Sequence, residues 1–300
     1  MKPDSRLARK LEEKEFVITA EWLPHATTDG AAIEVCARAM AKGPTAVNVA
    51  DNHYGVALSS LAASVTLLRA GVEPIYQVVT RDRNRIALQS DLMGAALLGI
   101  RNVLCLSGYH QTLIGSPDAA NVYDIDSVQL VAAVTRMNRE GQLLDGTRIE
   151  GGFSMLVGAV ANPYLKPLEL NLIRLTKKVN AGAAFIQTQA VFDVEAFQEW
   201  LEAVRKEGLD GRTAILAGVL PLAGAAEAEK LCTRTDVNIP QALVGRIKSA
   251  GNPDAQKREG LAVCAEIVKK IKGMKGLRGI HILSGGNEAL VPGLLSKAGL

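Results

Sequence analysis

Glu21 stands at the end of the short apolar run 16–20 (FVITA), three residues before Pro24. A carboxyl group at the end of a buried strand loses water. Desolvation raises its pKa, so it can donate a proton near neutral pH. The alternative is a carboxylate paired with a basic loop residue such as Arg81. Asp51, Asn52 and His53 follow the run 46–50 (AVNVA). Such side chains can hydrogen-bond a heterocycle, or cap the next helix through local backbone bonds. Gln77, Arg81, Asp82, Arg83 and Arg85 crowd the end of the run 74–79. Guanidinium groups there suit a phosphate or carboxylate ligand, unless they pair with Asp82 and Asp91.

Further along, Ser107-Gly108 follows the run 102–106, and a glycine there lets backbone N–H groups approach a ligand closely. Gln187-Thr188-Gln189 ends an otherwise apolar run. By strand alternation Gln187 and Gln189 share a face. An amide offers a donor and an acceptor, which suits the edge of a pterin ring, or it is satisfied inside the protein. Lys177-Lys178 could reach a phosphate or simply be solvated. His281 lies in the last apolar run and reads as a core or supporting histidine. His25, His53 and His110 lie in loops at no metal spacing, so no metal site is expected.

These residues share one placement, at the end of a short apolar segment. Eight such segments recur, at 16–21, 46–50, 74–79, 102–106, 153–160, 184–189, 214–220 and 279–283. Helical patterns fill most gaps, at 31–40, 59–70, 86–98, 126–140, 168–181, 194–207, 225–232, 254–271 and 287–298. The alternation predicts an α/β fold, a (β/α)8 TIM barrel, in which polar residues at the carboxyl ends of the strands converge on one site. A single barrel domain is expected over 1–300, with 1–14 as an N-terminal helical extension. The stretch 107–124 is the longest irregular segment over the proposed mouth.

The 300 residues carry 34 basic against 31 acidic side chains, a net charge of +3, too balanced to argue for nucleic acid. Hydrophobic content of 48% with only 4% aromatic residues suits an aliphatic barrel core. Cys36, Cys105, Cys232 and Cys264 are too far apart for a zinc knuckle or an iron–sulfur cluster. The charged N-terminus lacks the apolar core of a signal peptide. No apolar run reaches the roughly 18 residues of a membrane span. The expectation is a cytoplasmic protein.

The motifs TAEWLP, NVADN, LSG, AGAAFIQTQAVFD, AGVLPL and GIHIL together resemble the methylenetetrahydrofolate reductase family over roughly residues 15 to 296. The runs VYDIDSVQL and RDRNR are similar to its short bacterial, acetogen-like branch, without a C-terminal regulatory domain. The resemblance implies a flavin-bearing barrel, with FAD or FMN, and NADH or NADPH or a partner subunit as the source of electrons. The implied reaction reduces 5,10-methylenetetrahydrofolate to 5-methyltetrahydrofolate. Glu21 matches the family's general acid and Gln189 the glutamine that binds the pterin. Ala50, Asp51, Asn52 and His53 match flavin contacts, as do Ser107, Gly108, Tyr123 and Asp124. Gln77 stands where many members carry a histidine. Arg174, Lys177 and Lys178 match positions that hold the flavin phosphates. Asn287 stands where some members direct an arginine to the folate tail. A homo-oligomer is expected.

One departure stands out. The family's Gly-Asp after the fourth strand is Gly108-Tyr109 here. A carboxylate there would tune the flavin and stabilise the folate cation. Tyr109 supplies no such charge; it can stack on a ring of the substrate or fill space left by an absent flavin. Val160 likewise replaces an aromatic contact of some members. Two further readings stay open: a flavin-free reductase that moves hydride directly from a nicotinamide, and a folate-binding or methyl-transfer accessory subunit without redox activity.

Overall fold

The computed structural model describes residues 3–234 and 236–300. Among them, eight parallel strands close a barrel in sequence order: β1 (Val17–Trp22), β2 (Ala46–Val49), β3 (Pro74–Val79), β4 (Asn102–Leu106), β5 (Leu156–Ala161), β6 (Phe185–Ala190), β7 (Ala214–Val219) and β8 (Leu277–Ile282). The helices that surround it are α2 (Gly30–Met40), α3 (Ser60–Arg69), α4 (Arg85–Leu97), α5 (Ser127–Glu140), α6 (Leu168–Ala181), α7 (Val194–Lys206), α8 (Ala225–Cys232), α9 (Gln241–Lys248), α10 (Pro253–Ile271) and α11 (Leu290–Ala298). The expected barrel is therefore the observed fold. None of these helices is long and apolar enough to cross a membrane.

The extension expected over 1–14 is α1 (Arg6–Glu12), with residues 1 and 2 outside the described residues. This helix plugs the amino-terminal end of the barrel. Its Leu7 is fully buried against Val17, Ala46, Ile75 and Leu104 of the interior. The free N–H groups of Arg6 and Leu7 donate to the Glu73 carboxylate at 2.7 and 2.9 Å. That satisfies donors a helix start leaves open and sets a negative charge at its positive end.

Inside the barrel, side chains change from apolar to polar towards the carboxyl ends. Phe185 fills the lower layer beside Gly158, its register partner on β5. A Cβ at Gly158 would overlap the buried Phe185 ring. Gly158→Ala is therefore expected to cost about 1–3 kcal/mol of stability, read by urea unfolding. An unchanged midpoint would mean the ring has room to move.

Three boundaries differ from expectation by more than one residue. The strand expected from 153 begins at Leu156. The Asn138 side chain clamps Met155 instead, accepting from its N–H at 2.9 Å and donating to its carbonyl at 2.8 Å. β8 starts earlier than expected, at Leu277 beside Ile215. The last helix begins at Leu290 rather than 287, after a turn in which Asn287 N–H donates to the Ser284 carbonyl at 2.8 Å. α9 was not expected. It buries only Val244 and Ile247, too few positions to give a clear helical period.

Candidate active site

The carboxyl ends of the strands surround a cavity of about 270 Å³. Its floor is a closed polar layer. Asn48 and Gln187 exchange amide hydrogen bonds of 2.7 and 3.0 Å, and Gln187 also donates to Thr19 Oγ1 at 3.1 Å. Thr19 Oγ1 lies 3.0 Å from His281 Nδ1. Gln187 is thus the satisfied buried amide of the two alternatives, and His281 is the supporting histidine expected. Burial pushes the His281 imidazole down to about 3, so the ring is neutral. Gln189 lines the cavity above this layer, half-buried, and its amide has no protein partner among the described residues.

Glu21 projects from β1 into the same space and is 5% exposed. Its pKa is raised to about 7. Burial is the main cause and the nearby Glu288 adds to it, while hydrogen bonds from the Gln77 side chain and the Ser284 backbone hold it back. The proposed alternative partner is engaged elsewhere. Arg81 donates to both Asp82 oxygens at 2.6 and 2.8 Å, and to the carbonyls of Tyr109 and Asn52 at 3.1 Å each.

The β3 arginines pair with protein carboxylates rather than standing free for a phosphate. Arg83 binds Asp51 and, at 2.8 Å, Asp91. Arg85 binds Asp124 at 2.8 Å. Asp51 also accepts from Val79 N–H at 3.0 Å, tying the end of β2 to β3. Asn52 takes the local role, with a left-handed φ of 46° and its amide oxygen accepting from Ala57 N–H at 3.1 Å. Ala50 is buried and bonds by its N–H to the Trp22 carbonyl.

Of the residues singled out by sequence, the cavity brings together Glu21, Asp51, His53, Gln77, Ser107, Gly108, Tyr109, Lys178 and Gln189. Ala50, Asn52, Tyr123, Asp124, Arg174, Lys177 and Asn287 do not line it. Arg174 and Lys177 face solvent from α6. Lys178 turns inward and donates to the Val160 carbonyl at 2.7 Å. Its burial, aided by Arg174, lowers its pKa. Tyr123 is exposed and its hydroxyl donates to the Gly108 carbonyl at 3.4 Å.

Sequence reasoning missed a latch over the mouth. The Tyr109 hydroxyl donates to Asp236 Oδ2 at 2.8 Å and accepts from Arg234 at 2.6 Å. Arg234 and Asp236 also pair directly at 2.7 Å, and Asn162 donates to the Asp236 carbonyl at 2.9 Å. The edge of His53 packs against the Tyr109 ring, 5.9 Å between centroids. Burial and the neighbouring Arg234 and Arg81 lower the His53 pKa to about 4, so it too is neutral. Arg234 and Asp236 carry no local motif, and only a contact across more than 120 residues of chain reveals them.

The lining suits a flat heterocycle. The amides of Gln77 and Gln189, neutral His53 and the Gly108 backbone all border the cavity. Gly108 has a φ of +83°, and a side chain there would crowd Val79 and Arg81. These groups suit a flat ring such as that of a flavin, and Tyr109 lines the same cavity.

Comparison with known proteins agrees with the motifs. A Pectobacterium carotovorum 5,10-methylenetetrahydrofolate reductase is 27% identical over 216 residues, 71% of this chain and 65% of that protein. The Escherichia coli protein of the same name is 27% identical over 185 residues, 61% of this chain and 55% of that one. A Caenorhabditis elegans protein named as a probable methylenetetrahydrofolate reductase (NADPH) is 23% identical over 311 residues, 98% of this chain and 44% of its own length. The chain therefore spans less than two thirds of these relatives. Among solved structures, a Clostridium thermocellum protein that binds two copies of 5-methyl-5,6,7,8-tetrahydrofolic acid shares the fold, with a TM-score of 0.67 at 15% identity over 97% of both chains. A 2,3-dimethylmalate lyase has a TM-score of 0.53 at 13% identity, over 98% of this chain and 87% of its own. The family profile described as methylenetetrahydrofolate reductase matches residues 6–299, and the chain belongs to that family.

Proposed function

We propose that this chain reduces 5,10-methylenetetrahydrofolate to 5-methyltetrahydrofolate, with Glu21 as the general acid. The observation that carries this reading is a carboxyl group, buried at the barrel mouth, whose pKa is raised to about 7. An acid with that pKa keeps its proton near neutral pH yet can release it. Glu21 gives its proton to the ring nitrogen that leaves the methylene carbon. The C–N bond breaks and an iminium cation forms on the folate. A hydride then adds to that carbon and gives the methyl group. The reductant supplies two electrons, and Glu21 is reprotonated from water.

Gln189 supports the pterin role. Its amide is free where that of Gln187 is engaged, so it can both donate to and accept from the ring edge. Neutral His53 and His281 add no positive charge that would oppose the cation. A flavin held by Gln77, His53 and Gly108 would supply hydride transfer between a nicotinamide and the folate. Tyr123, Asp124, Arg174 and Lys177 lie outside the cavity and are candidates only for the far end of such a cofactor.

One observation favours a second reading, direct hydride transfer from a nicotinamide without flavin. The Tyr109 ring is held at the mouth by both Arg234 and Asp236, at the position where the resemblance expects a flavin-tuning carboxylate. The test is turnover of the purified protein with methylenetetrahydrofolate and NADH or NADPH, together with its visible spectrum. Turnover with bound yellow flavin supports the first reading. Turnover by a colourless protein supports the second. Folate binding without turnover under either reductant would replace both with an accessory, folate-binding role.

A further inference from the structure

Gln189 enters the cavity from an irregular point of β6. Gln187 pairs with Leu216 of β7, but the next pair is Ala190 with Gly218. Thr188 and Gln189 therefore stand opposite a single residue of β7, Ala217. This is a β-bulge, with one residue more than the ladder can pair. Its mark is that Gln187, Thr188 and Gln189, three in succession, all line the cavity. Alternation alone would turn Thr188 away.

The Thr188 hydroxyl closes the gap in the ladder. Its Oγ1 accepts from Gly218 N–H at 2.9 Å and donates to the Gln189 carbonyl at 2.8 Å. Thr188 is 3% exposed, so bulk water does not compete for these bonds. Beyond the bulge, Val191 N–H donates to the Gly218 carbonyl at 2.8 Å. Both polar groups of Gly218 are thus held by β6 and its continuation. A Cβ at Gly218 would overlap the Thr188 and Gln189 carbonyls, so β7 leaves the space that the bulge occupies.

We propose that Thr188 is a positioning residue for Gln189: its hydroxyl fixes the backbone at the bulge and so the direction in which the Gln189 amide enters the cavity. That amide has no protein partner among the described residues, so its direction is set from the backbone. A hydroxyl suits the place because it accepts from Gly218 and donates to Gln189 at once. Valine has the same shape and does neither. It would leave the Gly218 N–H without its acceptor and the Gln189 carbonyl without its tether. Serine does both.

This role takes its catalytic meaning from the pterin contact proposed for Gln189, but its test needs no turnover. Thr188→Val and Thr188→Ser are compared with the wild type by NMR without ligand. The Gln189 side-chain amide signal is assigned by its loss in Gln189→Ala. In Thr188→Val that signal is expected to move, and the Gly218 amide to exchange with solvent about tenfold faster or more. Thr188→Ser should keep both as in the wild type. Affinity for 5-methyltetrahydrofolate, measured by calorimetry, should weaken about three- to tenfold in Thr188→Val. On a Gln189→Ala background the same change should cost little more. A folded Thr188→Val with the wild-type Gln189 signal overturns the proposal, as does a loss of affinity that persists undiminished without Gln189. Should Thr188→Val fail to fold, the wild type decides: a slowly exchanging Gly218 amide supports the tether, and a freely exchanging one overturns it. A displaced Gln189 signal, in a protein whose Gln189→Ala variant binds folate as tightly as the wild type, would keep Thr188 in this role and remove the pterin reading.

Discussion

Glu21→Gln is expected to lower folate reduction by about 10²–10⁴-fold, the usual contribution of a positioned general acid. Reduction of a bound flavin by nicotinamide, where a flavin is present, should survive, because that step needs no proton from Glu21. Separate rapid-mixing measurements of the two half-reactions distinguish the outcomes. Loss of both, or of neither, would remove Glu21 from the acid role. The same carboxyl predicts a pH dependence. Its folded pKa is about 7 against an ordinary 4.5, chiefly because burial penalises the charged form. The rate should therefore fall as pH rises through about 7. Stability follows the same sign. The raised folded pKa contributes stability that is fully present below 4.5 and is lost as pH rises through about 7, a loss of about 3 kcal/mol. Gln at position 21 cannot ionise, so the variant should lose this part of the slope. Thermal unfolding of both proteins between pH 5 and 8.5 reads the difference, and parallel curves would show that Glu21 stays solvated.

Asp51→Ala should be the most destabilising of the mouth substitutions, by about 3–5 kcal/mol. Asp51 is 5% exposed, and Arg83, its partner, is largely covered as well. Removing the carboxylate leaves a guanidinium short of a counter-charge, although Asp91 still binds it at 2.8 Å. It also orphans the Val79 N–H at the end of β3. Asp51→Asn keeps an acceptor for Val79 and should be milder. Urea unfolding of the pair separates the hydrogen bond from the charge. A loss under about 1 kcal/mol in the alanine variant would mean that Asp91 alone neutralises Arg83. Asp51 is therefore read as structural support for the β2–β3 wall of the cavity rather than a free ligand group.

Much of the barrel was legible because each strand is short, apolar and followed by a helical period, and parallel strands need such crossovers. The errors lie where a side chain replaces a ladder or where the apolar signal is thin. Asn138 holds Met155 out of β5, and α9 offers only two buried positions. At the site, the strand residues all reach the cavity, whereas the loop residues divide: Asp51, His53, Ser107, Gly108 and Tyr109 line it and others do not. Glu21, Gln77 and Gln189 reach the cavity because alternation along a strand decides which way they face. Asn52, Tyr123 and Asp124 lie in loops, whose backbone path has no period to read, and local or cross-loop bonds take them elsewhere.

The sequence by itself determined the order of the strands and of every helix but α9, the family, and the presence of an acid at the end of β1. These depend on local periodicity and on short motifs. Only the tertiary structure decided which polar groups are free. Gln187 and Gln189 are the same residue type two positions apart, yet one is closed by Asn48, 139 residues away, and the other is open. Arg81 faces Asp82 rather than Glu21, and Tyr109 meets Asp236 across 127 residues. A hydrogen bond between distant segments forms only once the barrel has closed. Its energy depends on distance and burial, which no spacing along the chain encodes.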